Sequence, residues 1–150
     1  MIKNRLKKLG IVLPDPPTPG GNYTSVNIRG RQAFVAIQFP ILNGKFYYQG
    51  TLGRELNSDD GYKAMQLCAL NLLAQINKYI RYESLVGINH IDAYYRSTAD
   101  WDNAPHVADG ASDLIAEILG EKGTHSRALI GVASLPRNFS AGITASLTLQ

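Results

Sequence analysis

Hydrophobic residues return at helical spacing in three segments of the chain, with polar residues filling the positions between them. The pattern therefore predicts three helices, each with one buried stripe. Capping residues, acidic first turns and glycines set their ends. The predicted bounds are Ile2 to Leu9, Asn57 or Ser58 to Lys78, and Asp100 or Asn103 to Gly120.

Between the helices, short runs of β-branched and aromatic residues predict six strands, with tight turns at Arg29-Gly30-Arg31 and Asn43-Gly44. The order β-β-β-α-β-α-β-β predicts an α+β sandwich, in which one mixed sheet carries two helices on a single face. Because nothing in the chain is left to cover the other face, we expect subunits to associate. The predicted strands are Tyr23–Ile28, Ala33–Phe39, Lys45–Gln49, Leu85–Tyr95, Ala128–Ala133 and Ala141–Leu149.

Residues 14–21 break the periodic pattern, since they contain four prolines and end in Gly20-Gly21. Proline removes a backbone donor and fixes φ, so this segment is predicted to be an extended arm that joins the short first helix to the rest of the chain. Residues 1–150 are therefore predicted to form one domain, with the helix and arm in 1–22 and the core in 23–150.

The net charge of +3 is concentrated at the N-terminus, where the first eight positions hold four of the 15 Lys and Arg residues. A nucleic-acid groove spreads basic residues over a face, so nucleic acid is not the expected partner. No apolar run reaches the roughly 18 residues of a membrane-spanning helix, and no apolar leader follows the N-terminal charges. We therefore expect no membrane contact and a cytoplasmic location.

The residues that usually bind metals are scattered. Cys68 is the single cysteine, which excludes a disulfide within the chain and a cysteine metal cluster. His90, His106 and His125 are isolated from one another and from any carboxylate set at ligand spacing. The sequence therefore predicts no metal site, and nothing in it predicts a cofactor.

A series of ordered motifs resembles the RidA/YjgF family, also described as endoribonuclease L-PSP or chorismate-mutase-like. The match covers nearly the whole chain, and the first helix with its Pro-rich arm is similar to the longer branch of that family. The motifs are Pro19-Gly20-Gly21-Asn22-Tyr23, Gln38-Phe39-Pro40, Gly61-Tyr62, the run from Leu67 to Leu73, Asp109-Gly110-Ala111-Ser112-Asp113-Leu114, Gly123-Thr124-His125-Ser126-Arg127 and the run from Gly131 to Pro136.

The resemblance implies a homotrimer with a central barrel-like core and ligand clefts between subunits. In the deaminase branch of the family, each cleft hydrolyses reactive enamines or imines. An arginine immediately before the Leu-Pro pair clamps the substrate carboxylate, and a glutamate on the last strand activates water. A small-molecule ligand and further copies of the same chain are thus the implied partners.

This chain departs from the deaminase pattern at both functional positions. Ser134 precedes Leu135-Pro136 where the resemblance implies arginine, and Thr144 falls at the glutamate position. Serine carries no charge, and threonine cannot act as a base near pH 7. The small Ser-Gly pair common before Gln-Phe-Pro is also changed, to Ala36-Ile37. The sequence therefore predicts little or no standard deaminase activity.

Other residues of the family cleft have counterparts in this sequence. Tyr23 and Gln38 fall at cleft positions, although Tyr23 also suits an interface packing role. Asp109-Gly110 stands where the family presents an asparagine, so Asp109 either favours a cationic ligand or caps the local backbone. Arg137 lies just past Pro136, and we hypothesise that it bends back over the cleft and replaces the missing arginine.

Three functions follow from these residues. The first is a homotrimer that binds a small metabolite in its intersubunit clefts without standard deaminase activity. The second is a hydrolase of imines or enamines, such as 2-iminobutanoate or 2-iminopropanoate, that uses different groups. The third is RNA cleavage of the endoribonuclease L-PSP type, which needs a basic groove and an acid–base pair that the sequence outside residues 1–8 does not show.

Overall fold

A computed structural model describes residues 2–150, and its three α-helices follow the predicted pattern. Asn57 begins the second helix in a capping box: its side chain accepts from the Asp60 N–H at 2.8 Å, and the Asp60 carboxylate accepts from the Asn57 N–H at 2.9 Å. These two bonds satisfy backbone donors that have no partner within the helix. The helices are α1 (Ile2–Leu9), α2 (Ser58–Tyr79) and α3 (Ala104–Leu119).

Five strands form the main sheet: β1 (Val26–Arg29), β2 (Gln32–Gln38), β5 (Leu85–Tyr95), β6 (Ser126–Gly131) and β7 (Ala141–Leu149). Their spatial order is β1-β2-β7-β5-β6. Neighbouring strands are antiparallel except β5 and β6, which run parallel because α3 crosses over between them. The predicted mixed sheet is therefore confirmed. A separate two-stranded sheet, β3 (Ile41–Leu42) with β4 (Lys45–Phe46), flanks it.

Three strand predictions need correction. The first predicted strand, Tyr23–Ile28, begins only at Val26 and ends at Arg29. The third predicted strand, Lys45–Gln49, ends at Phe46 and does not join the main sheet. Its continuation is impossible because Tyr48 adopts φ 52°, a left-handed conformation outside the extended region. The strand predicted at Ala128–Ala133 lies two residues earlier, at Ser126–Gly131, and an irregular segment follows it.

Helices α2 and α3 cover one face of the main sheet and bury the single hydrophobic core. The two helices approach closely at Gly110, where an added Cβ would lie 2.1 Å from the Tyr62 carbonyl oxygen. Gly110 is therefore required by helix packing. Helix α1 lies against the end of α3, where the Arg5 guanidinium donates to the Ile118 carbonyl oxygen at 3.4 Å.

The opposite face of the main sheet is open in the single chain. Every second residue of β7 points toward the helices and is buried, whereas Thr144, Ser146 and Thr148 lie between them on the open side. The α+β class with one helix-covered face is thus confirmed. The association of subunits through the open face stays a prediction.

Candidate ligand-binding cleft

The Pro-rich arm folds back over the end of β2 and encloses a cleft of about 470 Å³. One wall is the arm itself, and the facing walls come from the end of β2, the small β3–β4 sheet and the turn after Pro136. A volume of this size suits a small molecule. The lining residues are Pro17, Thr18, Pro19, Gly20, Tyr23, Ser25, Ile37, Gln38, Phe39, Ile41, Phe46, Pro136, Arg137 and Phe139.

Two polar side chains of α2 hold the cleft walls in place. Asn71 is fully buried, and its amide donates to the carbonyl oxygens of Phe39 at 2.9 Å and Ile41 at 2.8 Å. One turn later, Gln75 donates to the Pro17 carbonyl oxygen at 3.0 Å and to the Gln38 side chain at 3.3 Å. The arm and the end of β2 are therefore both attached to the same face of one helix.

The apolar part of the cleft is aromatic. The rings of Phe39 and Phe139 stack with centroids 4.9 Å apart, and Phe46 meets Phe139 edge to face at 5.2 Å. Phe139 is buried, whereas Phe46 is 42% exposed. The cleft therefore has a fixed aromatic floor and a ring available at its mouth.

Arg137 reaches the mouth of the cleft from a strained turn. It adopts φ 55°, and the following Asn138 adopts φ 59°, so two consecutive residues other than glycine are left-handed. Hydrogen bonds from the 49–50 loop hold this turn: Gln49 Nε2 donates to the Arg137 carbonyl oxygen at 2.7 Å, and the Gly50 N–H donates to that of Asn138 at 2.8 Å. Arg96 also donates to the Asn138 side chain.

The strained turn determines where the charge of Arg137 lies. Its guanidinium carbon is 5.8 Å from the centroid of the Phe46 ring, within the range of a cation–π contact. Among residues 2–150, no Asp or Glu lies within ion-pair distance of this guanidinium. None of the residues that line the cleft is acidic either. The cleft thus carries one positive charge and no negative one.

The structure brings four of the sequence-predicted site residues together in this cleft: Tyr23, Ile37, Gln38 and Arg137. The Tyr23 hydroxyl accepts from the Gly20 N–H at 3.1 Å and thereby fixes the end of the arm. Ala36 and Ile37 lie where the register of β2 against β7 shifts, and such a bulge redirects side chains. Ile37 is consequently directed into the cleft beside Gln38.

The remaining predicted site residues lie elsewhere in the single chain. Ser134 is exposed in the segment after β6. Asp109 on α3 pairs with Arg127 of β6 at 2.8 Å, and Gly110 faces α2. Thr144 is on the open face of the sheet. Their assignment to a cleft stays a prediction, because the predicted clefts are shared between subunits.

Four polar side chains form a hydrogen-bonded row on the open sheet face, which was not predicted from the sequence. His90 is not isolated: its Nδ1 lies 2.7 Å from Ser126 Oγ, and its Nε2 lies 3.0 Å from the Asp92 carboxylate. The other Asp92 oxygen accepts from the Thr144 hydroxyl at 3.2 Å. A sequence signal existed, since residues two apart on a strand share a face. We call His90, Asp92, Ser126 and Thr144 the polar row.

Other reactive side chains are engaged in the fold. Burial raises the pKa of the Cys68 thiol, so no thiolate is available there as a nucleophile. His125 lies between Ser112 Oγ at 2.9 Å and the Gly123 carbonyl oxygen at 2.6 Å. His106 stacks on the Tyr62 ring. No group of three or more metal-binding side chains occurs within the described residues 2–150.

The fold defines an α+β protein with one helix-covered sheet face, and known proteins share this fold. The family model described as "YjgF/chorismate_mutase-like, putative endoribonuclease" matches residues 3–144, and the chain belongs to this family. The relative "Protein TCP17" of Trypanosoma cruzi is 33% identical over 99% of this chain and 94% of its own length.

Two solved structures carry the same fold over more than nine-tenths of their lengths. A "putative endoribonuclease" from Shewanella oneidensis superposes with a TM-score of 0.96 at 33% identity and 99% coverage of both chains. The protein Atu1372 of Agrobacterium tumefaciens, described as of unknown function, gives a TM-score of 0.91 at 34% identity, over 99% of this chain and 92% of its own. The arm and α1 are therefore shared features.

None of the helices in residues 2–150 is long and apolar enough to cross a membrane.

Proposed function

We propose that this protein is a homotrimer that binds a small metabolite in intersubunit clefts and lacks standard enamine or imine deaminase activity. The observation that carries this proposal is the arm-covered cleft of about 470 Å³: none of the residues that this chain contributes to its lining is acidic, so the chain supplies no carboxylate there to activate water. Binding is supported by the aromatic floor and the buried amides that fix its walls.

Association of subunits is supported by the open sheet face. The side chains of the polar row already hydrogen-bond to one another within the chain, so another copy can cover them without leaving these groups unpaired. Three copies packed through this face would form the central barrel-like core. Native mass spectrometry tests the stoichiometry, and a monomer at micromolar concentration would contradict it. A cytoplasmic location is part of the same proposal.

The deaminase prediction is tested by ammonia release from 2-aminoacrylate that a dehydratase generates in the same tube. We expect the unmodified protein to leave the spontaneous rate unchanged. The double variant S134R/T144E places arginine and glutamate at the two family positions and serves as the matched comparison. Because a positioned acid or base contributes about 10²–10⁴-fold, acceleration by the unmodified protein would be readily detected and would contradict the proposal.

One observation favours a second candidate, a hydrolase of imines or enamines with relocated groups. Asp92 pairs directly with Thr144 across β5 and β7, so a carboxylate lies one strand from the position that lacks glutamate. If the unmodified protein accelerates ammonia release and Asp92→Asn abolishes it, this candidate replaces the first. RNA cleavage gains no such support, since the cleft offers one cation and no acid–base pair. Intact single-stranded RNA after incubation at low salt is the expected result.

A further inference from the structure

A chain of hydrogen bonds with defined directions links α3 to the segment that leads into β6. The Gly123 carbonyl oxygen can only accept, so His125 Nδ1, which lies 2.6 Å away, carries a proton. In the neutral ring Nε2 is therefore an acceptor. Ser112 Oγ lies 2.9 Å from Nε2 and donates to it. The serine hydroxyl thus directs its proton at a nitrogen that is able to take it up.

The neighbouring guanidinium fixes the direction of the serine hydroxyl. Arg127 Nη1 lies 3.1 Å from Ser112 Oγ, and a guanidinium can only donate. Ser112 Oγ therefore accepts from Arg127 and keeps its own proton for His125. The same nitrogen donates to the Asp109 carboxylate at 2.8 Å, which holds the guanidinium in place. A positive charge beside Oγ stabilises the negative charge that develops on this oxygen when the proton leaves.

This serine and its histidine are partly accessible to solvent. Ser112 and His125 are both half-buried, and Asp109 beside them exposes 49% of its side chain. Neither Ser112 nor His125 lines the arm-covered cleft. The polar row places Ser126 beside His90 in a similar way, but it lies on the face that we propose other subunits cover. Ser112 projects from a helix and lies outside that face.

We propose that Ser112 is a catalytic nucleophile, that His125 is its general base, and that the pair hydrolyses small carboxylic esters. Ser112 Oγ attacks the carbonyl carbon of the ester while its proton passes to His125 Nε2. The bond from this carbon to the alcohol oxygen then breaks, and the alcohol leaves with that proton. Water gives a proton to the same imidazole, attacks the acyl-serine and releases the acid, and the proton returns to Ser112. The Gly123 carbonyl holds the ring in the tautomer that these steps need.

The same guanidinium faces the place where the transition state becomes negative. The oxyanion of the tetrahedral intermediate is attached to the carbon that Ser112 Oγ has attacked, and Arg127 already contacts this Oγ. Within residues 2–150, the side-chain hydrogen bonds of Arg127 come from Nη1, which leaves Nε and Nη2 as donors for the oxyanion. This activity is additional to the metabolite binding proposed above, and neither one depends on the other.

Covalent labelling tests the nucleophile in the unmodified protein. The native oligomer is incubated with a fluorophosphonate, which reacts with a serine that a neighbouring base activates. The modified peptide is then identified by mass spectrometry. We expect a label on Ser112 in the native protein and none after the protein has been unfolded in denaturant. A native protein without a label, or with a label on other serines alone, would overturn the proposal.

Hydrolysis of p-nitrophenyl acetate tests the roles of the two side chains. Ser112→Ala and His125→Gln should each lower the rate above background at least about 100-fold, which is the usual effect of losing general base catalysis. Ser84→Ala and His106→Gln are the matched controls, since both lie outside this hydrogen-bonded chain, and they should keep the rate. A folded Ser112→Ala protein with an unchanged rate would overturn the proposal. Ser112→Cys keeps a nucleophile at this position and should be acylated there, and a thiol that stays unmodified would contradict the assignment.

Discussion

The cleft and the open sheet face differ in how their polar side chains are paired. In the cleft, Arg137 stands over an aromatic ring with no carboxylate beside it. On the open face, His90 and Asp92 bond to each other and to hydroxyls on the neighbouring strands. Arg137 therefore keeps donors available for a ligand, whereas the side chains of the polar row already bond to one another and can be covered by another subunit. On this difference we base the proposals that the cleft is the ligand site and that the open face is the interface between subunits.

The largest effect is expected where the cleft is attached to the helical layer. Asn71→Leu removes the amide that donates to the carbonyl oxygens of Phe39 and Ile41, and it leaves these partly buried acceptors without this partner. The free energy of unfolding should fall by about 2–6 kcal/mol, at 1–3 kcal/mol for each of the two carbonyl groups. Chemical denaturation measures the loss. Any binding of a ligand in the cleft should also weaken, because the walls of the cleft are no longer fixed.

The matched control for this change is Asn77→Leu, on the exposed side of the same helix. Its unfolding free energy should stay within about 0.5 kcal/mol of the unmodified protein. If the free energy of unfolding falls equally in both variants, the loss comes from the introduced leucine and not from the two unpaired carbonyl groups. The support of the cleft by α2 would then have to be abandoned.

An intermediate effect is expected on the open face. Asp92→Ala removes the acceptor shared by His90 and Thr144, and a covering subunit would then bury both groups without their partner. We expect the concentration at which the oligomer dissociates to rise at least about 10-fold, which corresponds to about 1.4 kcal/mol. Analytical ultracentrifugation measures this concentration.

Asp102→Ala, at an exposed position before α3, is the control for the loss of one carboxylate. It should leave the oligomer unchanged. A result in which Asp92→Ala lowers ligand affinity and leaves assembly intact would invert the comparison, since the polar row would then belong to the ligand site.

The sequence predicted the helices well because their signals are local. The bounds of α1, the start of α2 at Asn57 and the end of α3 at Gly120 all follow from periodicity and caps. The strand order and the parallel pairing of β5 with β6 depend on contacts far apart in sequence. The short β4 was overestimated, because the left-handed conformation of Tyr48 is imposed by tertiary structure.

The candidate site was predictable only in part. Tyr23, Gln38 and Arg137 came from motif positions, and they do share one cleft. Asn71 and Gln75 were overlooked, although two amides one turn apart in a leucine-rich helix are a sign of buried hydrogen bonding. The strain at Arg137 could not be predicted, since nothing in a Pro-Arg-Asn sequence requires two left-handed residues.

The smallest expected effect concerns that strain and has the opposite sign. Arg137→Gly replaces a residue at φ 55° by the one residue that adopts this conformation without a steric penalty. We expect the free energy of unfolding to rise by about 1 kcal/mol, which corresponds to a rise in Tm of about 2–4 °C for a chain of this size. Differential scanning calorimetry at fixed protein concentration measures the shift.

Arg81→Gly provides the contrast, because Arg81 is an exposed arginine with an ordinary φ of −70°. Glycine there only adds freedom to the unfolded chain, so Tm should fall. If Tm rises for Arg137→Gly and falls for Arg81→Gly, the strained turn lowers the stability of the protein. Such a cost is expected where a strained backbone directs a functional side chain. Equal losses at both positions would show that Arg137 stores no strain, and its place over Phe46 would then follow from packing alone.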